Sequence, residues 1–143
     1  MKSKKLSWII KTIVFLAFTI PIQLTAQHTH YTVADLGTLA GGTFSWAQGL
    51  NNRGEASGFS DLPEGNRHGV FWQDGVITDL GTLGGPNSTA YGISARGEIA
   101  GFSETSTPDP LGEDFFGSGN HLITLPFVWR DGMMTPLPTL GGQ

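Results

Sequence analysis

Between residues 46 and 137 short apolar runs alternate with clusters of Gly, Asn, Asp and Ser, the rhythm of strands joined by tight turns. The pattern predicts eight strands, at 46–50, 55–60, 70–72, 76–80, 90–94, 98–103, 127–129 and 133–137. Asn52-Arg53-Gly54 and Ala95-Arg96-Gly97 each lead from one strand to the next, with a glycine free to take the positive φ that closes a hairpin. Asp74-Gly75 and Asp131-Gly132 sit two residues after Trp72 and Trp129, and Asp-Gly between apolar runs is a strong hairpin signal.

The eight strands are two copies of one set of four. Residues 35–60 read DLGTLAGGTFSWAQGLNNRGEASGFS and residues 79–103 read DLGTLGGPNSTAYGISARGEIAGFS, in agreement once a single insertion near Ala40 is allowed. The tails agree as well, GVFWQDGVITDL at 69–80 against PFVWRDGMMTPL at 126–137. Repeat 1 therefore spans 35–78 and repeat 2 spans 79–135, the second lengthened by an insertion before Leu125; residues 136–143 open a truncated third repeat. Four strands in about 40 to 50 residues is the period of a propeller blade. Residues 31–36 resemble the last strand of a unit, so they are expected as a leading strand that completes the final blade of a ring. The expected fold class is all-β: a partial β-propeller-like array of four-stranded blades after an N-terminal signal helix.

Composition sharpens this picture. The chain has 143 residues with 21 Gly and 8 Pro, which disfavours helix, because in a helix interior Gly costs about 1 kcal/mol and Pro about 3 relative to Ala. It has no Cys, which excludes a disulfide framework, a thiolate metal site and a thiol nucleophile. Residues 1–26 carry Lys2, Lys4, Lys5 and Lys11, an apolar run at 12–20, Pro21, and small residues before a cut between Ala26 and Gln27. This is the layout of a secretory signal, too short in its apolar run to span a bilayer. Removing it leaves 27–143, in which four arginines face twelve acids for a net charge of −8, with no lysine. So acidic a chain is a poor partner for nucleic acid or for an anionic membrane surface.

One resemblance adds to this reading. The Asp-Leu-Gly-Thr-Leu stretch with its glycine pair, Ser-x-Ala-x-Gly, Arg-Gly-Glu, Gly-Phe-Ser and a strand ending in Trp ahead of Asp-Gly, taken together, resemble the HAF family of extracellular repeat proteins. The family's eponymous stretch stands here as His68-Gly69-Val70 and Leu125-Pro126-Phe127, departures that keep the Trp. The resemblance covers 31–142 and implies secretion or cell-surface display in bacteria and a β-repeat architecture. It brings no reaction and no ligand with it.

Most of the recurring residues are what a sheet wants. Trp72, Trp129 and the repeated leucines are expected to fill space between sheets. The glycine pairs at 41–42, 84–85 and 141–142 precede no helix and carry no Lys, so they read as turns or close packing rather than a phosphate cradle. Ser45 and Ser88 recur without a nearby His and read as strand-start hydroxyls; Glu55 and Glu98 recur beside a hairpin glycine and read as exposed polar residues, not as a glycosidase pair. His28 and His30 adjoin the cleavage point, while His68 and His121 are expected in loops at unmatched places and indicate no repeated metal site. Asp61 and Glu64 are expected in one loop, and Glu104, Asp109, Glu113 and Asp114 in the insertion of repeat 2. These carboxylates lack the spacing of a calcium loop, so no cofactor is expected, with Ca²⁺ the one ion their oxygens would suit. The insertion also places Phe115 and Phe116 in a polar loop, where binding proteins put contact residues. Asp109, Glu113, Asp114, Phe115 and Phe116 are the candidate ligand or partner contacts, within the segment 104–124.

The function expected from the sequence is that of a non-catalytic β-repeat protein, secreted to the exterior, the cell surface or the periplasm. Its partner would be an extracellular protein or a glycan. A repeat array generally needs at least three units, so the chain reads as the N-terminal piece of a longer protein, with a bare sheet edge after Leu137 and further repeats or self-association needed to complete the fold. The alternatives are a fragment of an exported, carbohydrate-active propeller enzyme and a truncated, inactive remnant.

Overall fold

The structure is a computed structural model that describes residues 30–139; the signal segment expected over 1–26, its cut between Ala26 and Gln27, His28 and residues 140–143 lie outside the described residues. The chain divides into two units, Met1–Val33 and Ala34–Gln143. In the first, the described residues 30–33 form no strand. All secondary structure described below lies in the second.

The eight strands are β1 (Ser45–Leu50), β2 (Ala56–Asp61), β3 (Arg67–Gln73), β4 (Val76–Asp79), β5 (Gly84–Ile93), β6 (Ile99–Pro108), β7 (Leu122–Arg130) and β8 (Met133–Pro136). They form two four-stranded antiparallel sheets in sequence order, β1-β2-β3-β4 and β5-β6-β7-β8. The fold is all-β, with no helix among the described residues. The turns explain the meander. Asp74 and Gly75 take φ of 51° and 78°, and Asp131 and Gly132 take 52° and 81°, the paired positive values that a two-residue hairpin demands. The β1–β2 hairpin is closed by Asn51, whose Oδ1 accepts the N–H groups of Arg53 (3.0 Å) and Glu55 (3.1 Å). Ser94 Oγ does the same at β5–β6 for Arg96 (3.2 Å) and Glu98 (3.1 Å). A bulge falls at the same place in both first strands, between Ala47 and Gly49 and between Ala90 and Gly92.

Gly58 and Gly101, at the middle of β2 and β6, recur for a steric reason. A Cβ on either would overlap the carbonyl oxygen of Trp46 or of Thr89 on the neighbouring strand, so only glycine allows the ladder to close there. One face of the first sheet carries Ala56, Val70 and Trp72, packed with Leu39 and Ile77. Phe71, on the opposite face, belongs to the second core, with Leu80, Ala90, Ile99, Phe127 and Trp129. Strand β5 lies against β1, β2 and β3. The second sheet therefore sets its Ile99–Phe127–Trp129 face on the Phe71 face of the first, like onto unlike. Each fully buried core side chain of this kind contributes roughly 1.5–3 kcal/mol.

Polar bonds fix the register between the sheets. Ser88 Oγ accepts the buried N–H of Gly69 (2.9 Å) and donates to Gly81 O (2.6 Å). Asn87 Oδ1 accepts the N–H of Arg67 (2.9 Å), and Asn51 Nδ2 donates to Ser94 O (2.9 Å). Ser60 and Ser103 Oγ take the N–H groups of Leu39 (3.0 Å) and Leu83 (2.8 Å), anchoring the ends of the repeated Asp-Leu-Gly-Thr-Leu segments.

Four expectations change. No strand forms over 31–36. The equivalent strands β4 and β8 exist only as partners of β3 and β7, and among the described residues both of those already have their partner there. Asp61 and Glu104 are strand residues rather than loop residues, and His68 lies in β3. The first, second and third strands of repeat 2 are longer than expected: β6 runs on to Pro108 and β7 begins at Leu122, so the insertion is an extended hairpin with its tip at 109–121. Glu55 and Glu98, expected to be exposed, are buried and half-buried.

Ser88→Ala leaves the Gly69 N–H buried without an acceptor and should cost about 1–3 kcal/mol in urea unfolding. Ser45→Ala removes a hydroxyl bonded only to exposed Gly37 O and should cost under about 1 kcal/mol; equal losses would contradict this account of the packing.

Candidate functional site

Carboxylates recur at two places in each sheet, and both are spent on structure. Glu55, 4% exposed, accepts from Arg53 Nη2 (2.5 Å), Asn51 Nδ2 (2.6 Å) and Gln73 Nε2 (3.0 Å). The Arg53 guanidinium, joined by the Asn51 amide, holds its carboxyl below the usual carboxylate range. Glu98 stands in the equivalent place with Arg96 Nη2 at 2.9 Å and Arg130 as a second guanidinium partner. Both carboxylates are thus paired with guanidinium groups within their own sheet. The second place clamps β2 or β6 to its neighbour. Asp61 accepts the N–H groups of Phe44 (2.7 Å) and Thr43 (2.8 Å) and the Thr43 hydroxyl (3.0 Å), bonds that lower its pKa, that of Phe44 foremost. Glu104, 1% exposed, takes the N–H (3.1 Å) and the side-chain amide (2.9 Å) of Asn87.

What the repeats do not share is the extended hairpin of β6 and β7. Its tip is built by Asx-type bonds: Asp109 Oδ1 accepts from Leu111 N (2.7 Å) and Glu113 N (3.4 Å), and Asp114 accepts from Gly119 N (2.7 Å) and Ser118 N (3.1 Å). The Gly119 and Ser118 N–H groups pull the Asp114 pKa down. His121 Nδ1 bonds Gly112 O at 2.8 Å, at a positive φ of 49°. Phe115 lies over Phe102 with ring centroids 5.2 Å apart, and Phe116 meets Phe115 edge-on at 5.2 Å.

Below this tip lies a cleft of about 880 Å³. Asp109, Glu113 and Phe115 line it, together with Thr105, Thr107, the start of β7 from Leu122 to Pro126, and Leu137 to Thr139. Its volume lies within the range of small-molecule clefts, and its lining is mixed apolar and polar. Of the five candidate contacts, three thus share one cavity. Asp114 and Phe116 are not among its lining residues and hold the tip in shape instead. Leu122 to Thr124 lie within the expected segment 104–124 but as strand rather than loop, because only 127–129 reads as a strand; the apolar stretch Leu122-Ile123-Thr124-Leu125 was the signal for it. Among the described residues no three His, Asp or Glu side chains converge as a metal-holding group. Trp72 is buried in the first core, and Trp129 packs half-buried on Phe71 with centroids 6.0 Å apart.

Protein-family models, curated proteins and solved structures compared with the chain return no match.

Since Glu55, Asp61 and Asp114 all have lowered folded-state values, their contribution is present above the ordinary carboxylate pKa of about 4 and is lost as pH falls through the folded values. Thermal midpoints followed by circular dichroism should hold from pH 7 to about 4.5 and drop below that. Glu55→Gln should lower the midpoint at pH 7 and flatten the acid limb; an acid limb identical to that of the parent contradicts the assignment.

Proposed function

We propose that this chain is an exported, non-catalytic repeat module of HAF type, its sheets the first blades of a partial β-propeller-like array, which binds an extracellular protein or glycan through the cleft under the 109–121 tip. The observation that carries the reading is the division of labour between repeated and unrepeated residues. The recurring polar side chains, Ser88, Glu55, Glu98, Asp61 and Glu104 among them, are committed to backbone or arginine partners within the fold. The unrepeated segment alone combines a concavity, an exposed Phe115 and a Glu113 carboxylate with no bonded partner among the described residues. Support for export comes from residues 1–26, and support for the array from the shared strand order and the like-onto-unlike stacking of the two sheets.

The test is saturable binding of the purified protein to a panel of insoluble polysaccharides, peptidoglycan and immobilised extracellular polypeptide, with the supernatants assayed for released sugar or peptide. The expected result is binding without product, weakened at least tenfold by Phe115→Ala combined with Glu113→Ala while the circular dichroism spectrum stays unchanged. Release of product, or binding indifferent to both substitutions, overturns the reading.

A further inference from the structure

Beyond the cleft, and independently of it, we infer that the first sheet carries a second binding site, at Arg67 beside Trp46 and Phe44, whose ligand is a sugar end group bearing a single carboxylate. The other arginines of the two repeats are spent on carboxylates, Arg53 on Glu55, and Arg96 and Arg130 on Glu98. Arg67 is exposed, and among the described residues its guanidinium has no carboxylate partner and donates no hydrogen bond. The carboxylate directly across the ladder, Asp61, is turned to the Thr43 and Phe44 N–H groups and the Thr43 hydroxyl. A guanidinium keeps its charge at any working pH and presents its donors in a planar fork.

This fork is held in place. Arg67 Cζ lies 4.1 Å from the centroid of the Phe59 ring, within reach of the attraction between a cation and a ring face, and the Arg67 N–H is tied to Asn87 Oδ1 at 2.9 Å. The same Phe59 ring, itself buried, meets two further rings, Phe44 at 5.9 Å and Trp46 at 6.3 Å between centroids. Both stay open to solvent, Phe44 at 52% and Trp46 at 59% exposure. Trp46 lies opposite Phe59 on the ladder, and Phe59 shares its face with Phe71, the face on which the second sheet is stacked. The sheet that covers this face therefore leaves the two rings and the fork uncovered.

Repetition separates these residues from the architecture. Phe59 recurs as Phe102, but Phe44, Trp46 and Arg67 stand where repeat 2 has Asn87, Thr89 and Thr124. Asn87 and Thr89 are buried, so the fold itself asks for no exposed ring at either place.

The kind of ligand follows from what the patch offers. A guanidinium fork takes a planar carboxylate through two parallel N–H···O bonds, and an open indole or phenyl ring takes a flat apolar face. A hexuronic acid carries both on one small rigid unit, a carboxylate at the corner of a pyranose whose C–H bonds form an apolar face. An acidic peptide carries its carboxylates on flexible stems and brings no such face. One guanidinium neutralises one carboxylate, and the net charge of −8 over 27–143, with Asp61 and Glu64 on the same hairpin, repels a ligand of dense negative charge. The fit is to an end group or an isolated acidic sugar rather than to a polyuronate chain.

The experiment titrates methyl glucuronide into the purified, isotope-labelled protein and follows the Trp46 indole N–H by NMR, with methyl glucoside as the ring-only control and N-acetylglutamate as the carboxylate-only control. The glucuronide should bind at least tenfold more tightly than either. Arg67→Gln should abolish the preference over the glucoside, and Arg67→Lys, which keeps the charge without the fork, should retain only part of it. Trp46→Ala, read on the Arg67 Nε–H instead, should weaken glucuronide binding at least tenfold with an unchanged circular dichroism spectrum. Phe115→Ala combined with Glu113→Ala should leave glucuronide binding unaltered, so that this site and the cleft fail separately. Absence of glucuronide binding, equal binding of glucuronide and glucoside, or binding indifferent to Arg67→Gln or to Trp46→Ala overturns the inference. So does N-acetylglutamate binding as tight as that of the glucuronide, since the patch is then a site for acidic peptide. Loss of glucuronide binding in the Phe115 and Glu113 double variant places the sugar in the cleft and overturns it as well.

Discussion

The stacking of the second sheet on the first depends on the hydroxyl of Ser88. It accepts the N–H of Gly69 in β3 and donates to the carbonyl of Gly81 in the segment between the sheets, while its own residue sits in β5. One buried side chain thereby satisfies a strand edge and a connecting loop that have no ladder partners, and it fixes where Ala90, Ile99 and Phe127 meet Phe71. Ser60 and Ser103 repeat the device one strand over, for Leu39 and Leu83. Beside the apolar contacts, such bonds supply registration between the sheets.

That economy separates architecture from recognition. Residues common to the two repeats close hairpins, clamp neighbouring strands or allow backbones to touch, as at Gly58 and Gly101. Repeat 2 departs from the pattern by lengthening β6 and β7, and the departure produces a tip and a cleft. The replacement of Gly69 by Pro126 at the equivalent place means that the edge of the second sheet cannot be closed by the same serine bond.

Much of the fold was legible because its signals are local. Asp74-Gly75 and Asp131-Gly132 specify two-residue hairpins whatever surrounds them, and the alignments of 35–60 with 79–103 and of 69–80 with 126–137 place all eight strands within a few residues of their starts or ends. Pairing was less legible. Gly84-Gly85-Pro86-Asn87 reads as a turn, and becomes strand only because Thr105 and Ser103 lie opposite β5. Thr105-Ser106-Thr107 reads as loop for the same reason. Residues 31–36 have the sequence of a last strand and no partner to make them one. Burial of charge was the least legible: Glu55 and Glu104 look like solvent-facing residues until the Arg53 guanidinium and the Asn87 amide are seen around them. Of the proposed contacts, Asp109, Glu113 and Phe115 meet in the cleft, whereas Asp114 and Phe116 turn to the loop, a difference of side-chain direction that composition does not encode.

Amide hydrogen exchange, read residue by residue, tests the central claim that the Ser88 hydroxyl closes the outer edge of β3 at Gly69. The account predicts that the Gly69 amide exchanges only with global unfolding, and that in Ser88→Ala it exchanges orders of magnitude faster than the other amides of β3. Protection of Gly69 equal to that of the other β3 amides in Ser88→Ala would contradict it.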